Sequence, residues 1–89
     1  MTTKADKIIQ EVKIQYKFKQ VMSGSNDIVE LIINKNNCNC RVILMILKGY
    51  EYVRLSIAEP DSGDFKFAIQ MFETNQAKKI TEFLSFLMY

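Results

Sequence analysis

Between residues 11 and 21 apolar and polar positions alternate. Val12, Ile14, Tyr16 and Phe18 are separated by Lys13, Gln15 and Lys17, with Lys19 following. Successive side chains of a strand point to opposite faces, so this spacing predicts a half-buried strand over 11–21. One face would be apolar and aromatic, and the other would carry three lysines. Before it, Lys4–Gln10 reads either as a short helix capped by Thr3 or as an extension of that strand.

Ser23, Gly24, Ser25, Asn26 and Asp27 form a turn signal. The segment 28–34 follows, with Val29, Leu31 and Ile33 on one face and Ile28, Glu30, Ile32 and Asn34 on the other. Asp27 would also suit a helix cap, but the β-branched Ile28, Val29, Ile32 and Ile33 favour a strand. After the polar stretch 35–39, residues 41–48 are apolar on both faces, the pattern of a central strand. Lys48-Gly49-Tyr50 reads as a tight turn and 51–58 as the return strand. Pro60 and Gly63 mark a hairpin loop, and Phe65, Phe67, Ile69 and Met71 alternate along a fifth strand over 65–72.

The chain then changes period. Ile80, Phe83, Leu84, Leu87 and Met88 form one helical stripe, so the spacing predicts a helix over 75–88, capped by Thr74 or Asn75. Phe83 and Leu84 are its expected core residues. The fold class expected is therefore α+β: an antiparallel meander of four to five strands with one C-terminal amphipathic helix packed on one sheet face. Element boundaries of this kind carry an error of about two to four residues.

Composition fits one ordinary domain spanning residues 1–89: 48% hydrophobic, 25% charged, with Gly 3 and Pro 1. The absence of histidine removes the commonest general base and metal ligand. Cys38 and Cys40 are too close for an unstrained disulfide, so free thiols and a reducing compartment are expected. The longest apolar run, 42–47, is far too short to span a bilayer, and the charged N-terminal residues do not suit a signal peptide. A soluble, intracellular protein (cytoplasm or nucleus) with no membrane partner is the expectation.

Candidate chemistry is sparse. Glu59, Asp61 and Asp64 share a loop but lack the ordered oxygen ligands of a cation site. Ser23-Gly24-Ser25 lacks the rest of a phosphate loop. No catalytic residue, metal site or cofactor is expected, and the chain is not expected to be an enzyme.

Charge changes the picture more. The net charge is only +2, but Lys4, Lys7, Lys13, Lys17 and Lys19 crowd the first twenty residues. One helix covers one sheet face, and the other face would still carry Ile28, Ile32, one apolar set of 42–47, Tyr52 and Phe72. That is more apolar surface than a small monomer usually leaves open. Its flanks would be basic. The reading that follows is a small dimeric protein binding single-stranded nucleic acid on an open sheet face. Lys13, Lys17, Lys19, Arg54 and Lys66 would meet phosphates, and Tyr50 and Tyr52 would stack on bases. The alternative is a protein-interaction subunit or inhibitor, with Ile28, Ile32 and Phe72 at the interface and the lysines as its rim.

The order of strands followed by a helix is similar to that of Pur-type single-strand-binding repeats, a likeness of topology only. The segment 72–80 resembles the start of the last helix in the smaller Alu-domain subunit of the signal recognition particle. The N-terminal strand pattern departs from the initial helix of that family.

Overall fold

The computed structural model describes residues 3–21, 27–35, 38–47, 49–60 and 68–88. The described elements are α1 (Lys4–Gln15), β1 (Lys19–Gln20), β2 (Ile28–Lys35), β3 (Cys38–Ile46), β4 (Val53–Ala58), β5 (Ile69–Thr74) and α2 (Ala77–Met88). The strands form one antiparallel sheet in sequence order, β1-β2-β3-β4-β5. The described residues thus form an α+β fold, with a five-stranded meander and two helices.

The N-terminal segment departs from the alternation. The strand expected over 11–21 is replaced by a helix that runs to Gln15, and only Lys19 and Gln20 pair with β2. A second periodicity overlies the first: Ala5, Ile8, Ile9 and Val12 recur at helical spacing and are all buried. The helix also has a strong start. The Thr3 hydroxyl accepts from the Asp6 N–H at 3.2 Å, and the Asp6 carboxylate accepts from the Thr3 N–H at 3.1 Å. That reciprocal pair satisfies two backbone donors a helix otherwise leaves open. Val12 therefore reaches the core from a helix, and Ile14 is turned out to solvent, 83% exposed.

The sheet follows the expected pattern more closely. β2 occupies its predicted place, β3 and β4 each lie within a few residues of theirs, and α2 starts two residues late. Cross-strand rows fix the faces, because directly paired residues share one. Val29, Leu44, Leu55 and Phe72 make an inner row. Glu30, Ile43, Ser56 and Gln70 make the outer row beside it. The β3–β4 turn closes with the Tyr50 N–H donating to the Leu47 carbonyl at 3.0 Å. Gly49 sits there at φ 101°, a backbone angle that glycine adopts without steric cost. The Tyr50 carbonyl in turn accepts from the Ala5 N–H at 3.0 Å, anchoring the start of α1 to this turn.

The fifth strand is shifted. β5 runs from Ile69 to Thr74, while Phe65, Lys66 and Phe67 lie outside the described residues, as do 22–26 and 61–64. A register shift between Leu55 and Ser56 puts an extra residue, Met71, into β5. A bulge of this kind resets the alternation beyond it. Phe72 therefore lies in the inner row opposite Leu55, not on the outer face where uninterrupted alternation would put it.

One buried cluster joins the parts. Ile8, Ile9 and Val12 of α1, Val29, Ile33, Val42, Leu44, Val53 and Leu55 of the strands, and Ile80 and Leu84 of α2 belong to it, together with Phe18. Leu84 is fully buried as expected. Phe83 is half-buried at the margin, its ring edge-on to Phe72 with centroids 5.4 Å apart.

Candidate interaction surfaces

The outer sheet face is less open than the alternation implies. Ile43, at its centre, is only 2% exposed, and Ser56 and Ala58 are buried. Both described ends of the β4–β5 connection approach this face. The Pro60 carbonyl accepts from Arg41 Nη2 at 2.8 Å, and Ala68 joins Ile43, Met45, Arg54, Ser56 and Gln70 around a small cavity of about 200 Å³. Arg41 also pairs with Glu30, Nε to Oε2 at 3.1 Å, diagonally across β2 and β3. Sequence reasoning passed over this pair, because the register that joins its members is not visible in either strand alone. Ile32 is an exposed apolar residue of this face, and Ile28 is half-buried.

The residues expected to meet a nucleic acid do not assemble into one row. Lys13 is on α1, Lys17 follows the helix, and Lys19 is on β1. The even strand spacing that would match successive phosphates is therefore absent. Arg54 lies opposite Glu73 and donates to its Oε1 from Nε at 3.2 Å and Nη2 at 3.0 Å, so its charge already has a partner. Tyr50 and Tyr52 are exposed, but at the β3–β4 turn beside the start of α1, whereas Lys13 and Lys17 mark its far end. Lys13 lies eight residues along α1 from Ala5, the residue bonded to Tyr50, or about 12 Å at the usual rise, and Lys17 lies farther still. Lys66 lies outside the described residues.

A different surface gathers apolar groups. β5 is the edge of the sheet, and Ile69 (66%) and Met71 (45%) are exposed on it. Beside it, Phe72, Thr74 and Phe83 line a groove of about 470 Å³ together with Glu73, Lys79 and Glu82. Edge strands usually carry charges, proline or a very short length that discourage pairing. β1 has such features, being two residues long with Lys19 in it. β5 is six residues long, and its one charged residue, Glu73, is held by Arg54. Phe72, expected at an interface, is thus near an exposed apolar surface, although on the inner row.

The thiol of Cys40 is not in a disulfide. No group of three or more metal-ligating side chains occurs among the described residues. No protein-family model, curated protein or solved structure matches this chain.

Proposed function

We propose that this protein is a non-enzymatic interaction module whose β5 edge receives an extended segment of a partner protein. In this reading α1 and α2 form one layer over the inner face of the sheet, and α2 walls the groove beside β5. The observation that carries it is the exposure of Ile69 and Met71 on an edge strand whose single charge is neutralised internally. Backbone N–H and C=O groups along such an edge supply affinity, and adjoining pockets supply selectivity. The groove lined by Phe72 and Phe83 suits one large apolar side chain of that segment.

The test is selection from a displayed library of extended peptides. Selected peptides are expected to shift amide resonances of β5 and α2, and to lose binding to Ile69→Asp and Met71→Asp. Peptides that bind those variants equally, or that map elsewhere, overturn the proposal. Light scattering separates a foreign segment from a second copy of this chain. The nucleic-acid reading has its own discriminator, since phosphate contacts make affinity fall steeply with salt. Little binding to generic single strands at moderate salt is expected here.

A further inference from the structure

Among the described residues, the two most exposed large apolar side chains are both on helices: Ile14 on α1 (83%) and Phe86 on α2 (80%). A lone exposed hydrophobic residue requires no explanation. These two are related by the fold. Ala5, Ile8, Ile9 and Val12 turn inward, which puts Ile14 near the solvent summit of α1, with Lys7 two turns before it. Ala77, Ile80 and Leu84 turn inward on α2, which puts Phe86 on its solvent side together with Lys79 and Glu82. The helices run side by side, and Glu11 and Gln15 face Lys78 and Thr81 across a cleft. A hydrogen bond between the Tyr16 and Ser85 hydroxyls, 3.2 Å long, joins the residue two beyond Ile14 to the residue just before Phe86. The two apolar tips therefore rise from neighbouring points on one surface.

The segments that carry these tips are basic. Residues 4–17 and 77–88 contain six lysines and three carboxylates, of which Asp6 belongs to the α1 cap and Glu82 faces Lys78 at 3.8 Å. Lys7, Lys13, Lys17 and Lys79 are all exposed. We infer that this two-helix surface docks peripherally on anionic lipid bilayers, Ile14 and Phe86 entering the acyl boundary while the lysines meet the headgroups. Peripheral binding draws on buried apolar area together with attraction between cations and anionic lipids, and here the apolar part comes from two tips, the helices' own apolar faces being in the core. Lysine stems can lie along apolar surface while their ammonium groups stay in the polar layer. A nucleic-acid backbone would use the lysines but leave Ile14 without a role, because an aliphatic side chain offers no face for base stacking. No helix among the described residues is long and apolar enough to cross a membrane, and docking of this kind requires none.

The test is co-sedimentation of the full chain with phosphatidylcholine vesicles, with and without phosphatidylserine, at low and raised salt. Binding is expected only to vesicles that contain phosphatidylserine, and is expected to weaken with salt. Ile14→Asp and Phe86→Asp should each reduce it about tenfold or more, the equivalent of losing one buried apolar side chain. Both positions are exposed, so unchanged denaturant midpoints will show that the variants fold. Lys7→Gln combined with Lys13→Gln should reduce binding to the anionic vesicles without creating binding to neutral ones. Absence of binding to the anionic vesicles at low salt overturns the inference. So does binding that ignores both Asp variants and is matched by single-stranded RNA, which would mark a general polyanion surface. So too does a dimer that either Asp variant dissociates, which would mean that a second copy occupies these tips. Ile69 and Met71 play no part in this test, so it fails or succeeds independently of the β5 proposal.

Discussion

The Tyr16 hydroxyl lies 3.2 Å from the Ser85 hydroxyl, joining the exit of α1 to the third turn of α2 across 69 positions of sequence. Tyr16 is thus a strut between helices and not a member of a strand. Its ring is half-buried and packs against the core, so replacing it with phenylalanine keeps the packing and removes only the hydroxyl. A typical internal hydrogen bond contributes about 0.5–1.5 kcal/mol net. Tyr16→Phe is expected to lower the denaturant midpoint by that equivalent, and Ser85→Ala by a similar amount. The double variant should cost little more than either alone.

The start of α1 carries a second, separable contribution. Thr3 and Asp6 cap each other, and the Ala5 N–H is taken by the Tyr50 carbonyl. Thr3→Ala removes the hydroxyl acceptor and leaves the Asp6 N–H to water. The expected loss is about 0.5–2 kcal/mol of unfolding free energy. Chemical denaturation measures it, and faster hydrogen exchange confined to the first turn of α1 would locate it.

The N-terminal segment shows why some elements were legible and others were not. Residues 11–19 satisfy a strand's period, and residues 5–12 satisfy a helix's, with Val12 belonging to both. Local pattern cannot rank them. The capping box and the burial of Ala5, Ile8 and Ile9 decide for the helix, and that burial depends on tertiary contacts. α2 carries no such conflict, and in β2 the β-branched Ile28, Val29, Ile32 and Ile33 decide against the rival helix capped by Asp27. Phe72 was misplaced for another reason: a single inserted residue at Met71 changes its face, and nothing in the spacing marks the bulge. The candidate site suffered from both effects. Lys13, Lys17 and Lys19 form a row only if their segment is a strand. The exposed β5 edge emerges only once the register is known.

The contact between Phe72 and Phe83 ties α2 to β5 beside the groove, with the rings inclined at 74°. Edge-to-face aromatic pairs contribute about 0.5–1.5 kcal/mol beyond the area they bury. A double-mutant cycle with Phe72→Leu and Phe83→Leu should return a coupling in that range. Leu84→Ala removes a wholly buried side chain and should cost more, about 2–5 kcal/mol. A Phe83→Leu loss as large as that of Leu84→Ala would mean that Phe83 is a core residue and not a wall of the groove.

Two ion pairs on the outer face differ in depth, and that difference predicts their roles. The Arg41 and Glu30 side chains are 13% and 20% exposed, and those of Arg54 and Glu73 are 28% and 49% exposed. Arg41 is further fixed by its 2.8 Å bond to the Pro60 carbonyl. Removing it leaves Glu30 without its ion-pair partner and that carbonyl short of a donor in a place with limited water, an effect of about 1.5–3 kcal/mol for a charged hydrogen-bonding group. Arg41→Ala is expected to destabilise the fold by that amount, with only a small dependence on salt. Arg54→Ala removes a more open pair, for which about 0–1 kcal/mol is usual and screening matters. The same variant also tests the phosphate-binding role expected of Arg54. If that guanidinium contacted a nucleic-acid backbone, its removal would flatten the salt dependence of single-strand binding by roughly 0.7 in slope. Because Glu73 already holds it, Arg54→Ala is expected to leave any such slope unchanged. A measured flattening would show that a nucleic acid displaces Glu73 from Arg54.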